Sequence, residues 1–170
     1  MLTPADDYPL HQTPEPMARA SGERNFYDRF FFNGYAPDGS VFFAVALGVY
    51  PQLNIMDASL CLIVDGKQHN LRASKHMLGD RLDLLVGPVR IEIIEPFIRV
   101  RVRVNDPEKR ITASLEATAR HAAVEEPRFT RYNGPRLFMD YTRATQNVSW
   151  QGEIGFDSSV HSVTDWHGTR

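Results

Sequence analysis

Ser40-Val-Phe-Phe-Ala-Val-Ala-Leu-Gly-Val-Tyr50 is the stretch whose reading decides the fold. Val41, Phe43, Val45, Leu47 and Val49 fall on one face of a strand, because successive side chains alternate sides. Phe42, Ala44, Ala46, Gly48 and Tyr50 fall on the other. Both rows are apolar, so neither face is simply solvated. Such a strand belongs at the centre of a sandwich, or in a barrel whose outside is also covered. The Ala44-Ala46-Gly48 row is small. It marks either close packing or room for a ligand.

The neighbouring segments extend this into hairpins. Asn25-Phe-Tyr-Asp-Arg-Phe-Phe-Phe-Asn-Gly-Tyr35 precedes it across Pro37-Asp38-Gly39, where proline presets φ and glycine accepts φ > 0. Pro51 to Asn54 breaks the pattern. A strand over Ile55 to Val64 follows, then the two-residue turn signal Asp65-Gly66 and a polar return strand from Lys67 to Ser74. Further on, a short strand is expected over Leu82 to Val86. Val89, Ile91 and Ile93 then alternate with Arg90 and Glu92, and Ile98, Val100, Val102 and Val104 alternate with Arg99, Arg101 and Arg103. This strict period of two predicts half-buried strands. A tight turn at Glu95-Pro96 would set Glu92 opposite Arg99, and the next hairpin would set Arg99 opposite Glu116. The arginine row reads as a solvated face; a nucleic-acid stripe would interleave aromatic residues for base stacking. Ile111 to Arg120 reads as a further strand, Arg128 to Asp140 as an aromatic- and arginine-rich loop, and Tyr141 to Phe156 as one long strand or two short ones. Residues 1–24, with Pro4, Pro9, Pro14 and Pro16, form either an extended arm laid across the domain or a disordered leader.

The totals bound the class. A chain of 170 residues suffices for one domain burying about 70% of its unfolded surface. The formal net charge of −2 points to no nucleic-acid partner. Cys61 stands alone and can make no internal disulfide, which fits a reducing compartment. The acidic N-terminus lacks the apolar core of a signal peptide, and no apolar run approaches the ~20 residues of a membrane helix. A cytoplasmic protein without a transmembrane segment is expected.

Chemistry is sparse. The six histidines show no metal-ligand spacing. No nucleophile elbow, phosphate loop or dinucleotide fingerprint is present, so neither metal nor cofactor is expected. Carboxylates remain as candidate acids: Glu116 among the alternating residues, and above all Asp57 and Asp165. Asp57 follows Met56 on an apolar strand, and Asp165 adjoins Trp166 and His167. A carboxyl desolvated in an apolar cleft can deliver a proton, and an aromatic wall stabilises a developing cation. Structural roles, a turn cap or an ion pair for the acid and plain core for the indole, stand beside these readings.

Two passages carry a family resemblance. One is Asn25 to Tyr35 with Phe42 to Pro51 and Met56-Asp57-Ala58. The other is Tyr141-Thr142-Arg143 with Gln146, Trp150-x-Gly152 and the closing Asp165-Trp166-His167-Gly168-Thr169-Arg170. Together they resemble the lipocalin-like proteins related to hydroxyneurosporene synthase, a carotenoid hydratase. The resemblance implies an all-β, antiparallel lipocalin-like barrel or strongly curved sandwich over residues 25–170. Such proteins carry two barrel halves, and this chain would be the first. It implies an apolar, terpenoid-like ligand within the barrel and, for an enzyme, a hydratase acting on an isoprenoid double bond; it carries over no catalytic residue, so Asp57 and Asp165 stand as candidate acids on the residue reading alone. Phe43, Tyr50, Tyr141, Arg143, Gln146, Trp150, Trp166 and His167 are then the candidate ligand contacts. The alternative is a non-catalytic structural or carrier domain that packs on a second barrel or on a second copy of itself.

Overall fold

Alternation of apolar and polar residues becomes sheet almost throughout. The computed structural model describes residues 1–10 and 22–170, so the part of the proline-rich arm between them lies outside the described residues. The strands are β1 (Asp28–Tyr35), β2 (Val41–Tyr50), β3 (Ile55–Val64), β4 (Lys67–His76), β5 (Leu85–Val86), β6 (Val89–Glu95), β7 (Arg99–Asp106), β8 (Ile111–Ala119), β9 (Val124–Glu125), β10 (Phe129–Asn133), β11 (Arg136–Tyr141), β12 (Ala144–Thr145), β13 (Asn147–Phe156) and β14 (Ser159–Thr169). Ten of them form one antiparallel sheet in the order β4-β3-β2-β1-β14-β13-β8-β7-β6-β5. The sheet curls until its ends nearly meet, giving an all-β barrel of the lipocalin-like kind. No helix among the described residues is long and apolar enough to cross a membrane.

The inward rows make the core. Val41, Phe43, Val45, Leu47 and Val49 of β2 are buried, as are Met56, Ala58, Leu60 and Leu62 of β3. Val100, Val102 and Val104 of β7 face Ala113, Leu115 and Ala117 of β8 across their ladder. Trp150 on β13 is the largest fully buried side chain. Its indole meets Phe43 and Phe32 edge-on, at centroid distances of 5.1 and 6.1 Å. Its Nε1–H donates to the Asn33 carbonyl at 2.8 Å. Two glycines make the room. A Cβ on Gly34 would stand 2.9 Å from the indole, and one on Gly168 would stand 2.5 Å from Nε1 and 1.9 Å from the Asn33 carbonyl oxygen.

The seam between β4 and β5 is closed by side chains rather than by a ladder. Lys109 Nζ donates to the Asn70 carbonyl at 2.6 Å, and Lys75 Nζ to the Asp83 carbonyl at 2.9 Å. The His69 ring lies 4.2 Å from that of Phe156. Lysines along an otherwise open strand edge also discourage pairing with foreign strands.

One barrel end is sealed by a charged plug. The Pro4–Asp7 turn of 3-10 helix brings Asp7 into contact with the Arg170 guanidinium, and both side chains are largely buried. Asp7 also accepts the Phe97 backbone N–H at 2.6 Å. Arg170 lies over the rings of Phe97 and Phe32, at 5.2 and 5.7 Å. Burial pulls its pKa down to about 10, while the touching carboxylate favours the cation, so it stays charged at neutral pH. Beside it the buried Gln146 amide donates to the Phe97 and His121 carbonyls at 2.9 and 2.6 Å.

The structure corrects four sequence expectations. Arg128 to Asp140 is not a loop but the β10–β11 hairpin, turning at Asn133-Gly134-Pro135 with Gly134 at φ 59°. β4 runs two residues further, to His76. The strand expected over Leu82 to Val86 is confined to Leu85–Val86. In the β6–β7 hairpin the turn Pro96-Phe97-Ile98 sets Glu95 opposite Arg99, and a register shift between Ile93 and Glu95 then sets Glu92 opposite Arg101. Arg101, not Arg99, then faces Glu116. The displaced register still leaves a lattice of ion pairs. Glu92 contacts Arg101 and Arg103, and Glu116 contacts Arg99 and Arg101, at 2.9–3.8 Å. All are partly solvated, so each contributes only about 0–1 kcal/mol.

Candidate functional site

The two candidate acids lie on the outside of the barrel. Asp57 is exposed on the outer face of β3, opposite Gly48 of β2. It accepts a hydrogen bond from the Tyr50 hydroxyl, whose ring stacks on Tyr27 at 5.6 Å. Gly48 is what lets them meet: a Cβ there would stand 2.6 Å from Asp57 Oδ1 and 2.8 Å from the Tyr50 ring. Asp165 is an exposed bulge residue. The β13–β14 register shifts between Trp150 and Gln151, and Asp165 is the unpaired residue opposite, at φ 54°. Aspartate is among the side chains that tolerate the left-handed region, and this one also accepts a hydrogen bond from Ser149 Oγ. The expectation of an acid desolvated inside the barrel is met at neither position.

The candidate ligand contacts do not converge either. Phe43, Trp150 and Trp166 are core residues. Gln146 serves the plug. Tyr141 stacks on Phe129 at 5.1 Å, under Arg143, which pairs with Glu126 at 2.6 Å. His167 is exposed, stacked on Tyr35 and held by Arg120 at 2.9 Å. Among the described residues, no group of three or more His, Cys, Asp and Glu side chains gathers as metal ligands.

What the fold does assemble is an outer surface. Cross-strand pairing lines up Phe31, Ala46, Ser59 and Arg72 across β1 to β4, and beside them Asn33, Ala44, Cys61 and Asn70. Between Phe31 and Arg72 the small side chains leave a trough of about 220 Å³. Tyr35, Phe42, Ile55 and Ile63 extend the apolar character along the same face. The small row of β2 thus divides. Gly48 gives close contact, while Ala44 and Ala46 floor the trough. Partial burial pushes the Cys61 thiol up, away from the reactive thiolate.

Burial and the neighbouring Asp57 raise the Tyr50 pKa above its ordinary value. The folded state therefore holds the phenol proton more tightly than the unfolded chain. That contribution to stability is complete below pH ~10 and is lost as pH rises through the folded pKa. Tyr50→Phe should remove this component of alkaline destabilisation, flattening the fall in thermal midpoint above pH ~10. An alkaline profile identical to wild type would show that the hydroxyl carries none of it.

Sequence reasoning found Asp57 and Tyr50 separately but missed their pairing, which rests on Gly48 and on β2–β3 register. Asp7 had no local signal at all. A family model described as "Family of unknown function (DUF8625)" matches residues 2–170. No curated protein matches the chain, and no solved structure does. The match takes in all but the first residue, so this chain belongs to the family of unknown function DUF8625.

Proposed function

We propose that this chain is a non-catalytic binding domain whose outer β1–β4 face docks a second β-barrel, supplied most simply by a second copy of itself. The trough on that face carries the reading. Its volume of about 220 Å³ falls below the ~300–1,000 Å³ of small-molecule sites, and it is a shallow part of a wider apolar sheet surface. Small side chains in the middle of a sheet face allow another sheet to approach to about 10 Å. The rim mixes Arg29 and Arg72 with Asp57, so it offers both signs of charge, as a two-fold self-association requires. The exposed position of both acids favours this over isoprenoid hydration.

Sedimentation analysis across the micromolar range tests it. The wild-type chain should dimerise, and Ala46→Arg, which fills the trough, should be monomeric with its circular dichroism unchanged. A wild-type chain monomeric throughout overturns the reading. So does an Ala46→Arg variant that dimerises like wild type. Stabilisation of a monomer by apolar terpenoids in a thermal-shift series would assign the face to a carried small molecule instead.

A further inference from the structure

We infer that the β10–β11 hairpin is an anchor for an anionic lipid surface. Among the described residues its strands pair only with each other, and it leaves the barrel over the two-residue β9–β12 ladder. Nearly every residue from Phe129 to Asp140 is exposed. An isolated two-stranded hairpin is marginal in water, so a projecting one carrying large apolar side chains is expected to meet another medium or molecule. Tyr132 and Phe138 are 62% and 63% exposed, and Leu137 and Met139 are 45% each.

Two observations select a lipid surface over a protein groove. The first is that both faces of the hairpin are apolar. Arg131 pairs with Met139 and Phe129 with Tyr141 on one face, while Tyr132 pairs with Leu137 on the other. A groove covers one face, whereas a headgroup layer surrounds both. The second is charge. Residues 120–143 hold five arginines against three carboxylates, a local +2 in a chain of −2. Arg128 is taken up by Asp140, at 2.6 Å from Nε, and Arg143 by Glu126. Among the described residues Arg131 and Arg136 have no ion pair, and they flank the tip. Aromatic rings and arginines, apolar in body and polar at the end, suit the depth of lipid headgroups. Insertion plus basic charge supplies the two signals that stable surface binding needs. Exposed Ile98 and Val124 project at the same barrel end: the Ala119 N–H, at the close of β8, donates to the Ile98 carbonyl at 2.8 Å.

Vesicle co-sedimentation tests the anchor. The wild-type chain should bind vesicles of phosphatidylcholine with a third phosphatidylserine, and bind pure phosphatidylcholine at least several-fold more weakly. Binding should fall several-fold in high salt and in R131A/R136A. It should fall more than tenfold in Y132S/L137S/F138S, whose side chains touch no core and whose thermal midpoint should match wild type. In Phe138→Trp, emission should shift to the blue on adding the anionic vesicles. Absence of binding to anionic vesicles, or a triple serine variant that binds like wild type, overturns the inference. So does a triple variant whose association state in lipid-free solution changes, since that assigns the hairpin to a protein contact. None of these readouts depends on the Ala46 trough, so this inference and the docking of a second barrel fail separately.

Discussion

Trp150→Ala should lower the free energy of unfolding by about 3–5 kcal/mol, the usual range for truncating a buried tryptophan. In a chain of 170 residues that corresponds to a fall of about 6–20 °C in the thermal midpoint. The loss has three sources. The indole is fully buried, and Phe32 and Phe43 pack their edges against it. Its N–H is bound to the Asn33 carbonyl, which would be left without that donor. The cavity also cannot collapse easily, because Gly34 and Gly168 offer no side chains to fill it. Trp150→Phe should recover part of the loss by restoring apolar volume without the N–H. The converse change, Gly168→Ala, should destabilise by overpacking, since its Cβ would meet backbone as well as indole. Urea unfolding of the three variants checks the series. A Trp150→Ala loss below about 1 kcal/mol would mean that the glycine-lined slot closes after all.

Asp7→Ala should cost about 3–5 kcal/mol, because it strands a buried guanidinium without its counter-charge. Arg170 stays cationic at neutral pH even with its pKa drawn down to about 10, so it cannot escape the penalty by losing its proton. Asp7→Ala also removes the acceptor for the Phe97 N–H, at a residue held in the left-handed region at φ 57°. The double variant Asp7→Leu with Arg170→Met should regain much of that loss, since apolar replacement of a buried pair is often neutral or better. A double-mutant cycle on unfolding free energies checks this. Coupling below about 0.5 kcal/mol would show that the plug contacts act independently. Limited proteolysis gives a second readout, because Asp7 ties the N-terminal turn to the barrel and its loss should expose that turn to cleavage.

The strand pattern was open to a sequence reading because its causes are local. Alternation in Val41 to Tyr50 and Val100 to Val104 follows from the two-residue pleat, and Asp65-Gly66 turns because both residues accept positive φ, at 50° and 73°. The β10–β11 hairpin was misread as a loop because its strands lack a buried row. Without a core to face, Arg131-Tyr132-Asn133 shows no alternation to find. The register of β6 against β7 failed at the turn: Pro96, Phe97 and Ile98 all lie between the paired Glu95 and Arg99, with Phe97 at φ 57°, and a bulge beside Ile93 then shifts the pairing by one residue.

The residues of the C-terminal segment show where local reasoning stops. Trp150, Gly152, Asp165, Gly168 and Arg170 stand out in the sequence, and a chemical role for Asp165 beside Trp166 was a fair expectation. In the fold each of them has a structural place. Gly152 holds φ 131° where a Cβ would stand 2.0 Å from the Ser114 carbonyl oxygen, Asp165 forms the bulge, Gly168 admits the indole, and Arg170 plugs the end.

By itself the sequence determined an all-β antiparallel domain, the inward rows of its core and an outer β2 face that is not simply solvated. All of these follow from period-two patterning and turn chemistry among near neighbours. Only the tertiary structure decided that the acids face outward, that Gly48 joins Tyr50 to Asp57, and that Asp7 meets Arg170 across 163 residues of chain. The reason is physical: contact across a strongly curved sheet depends on summed twist, register and bulges, and no local window of residues contains that sum.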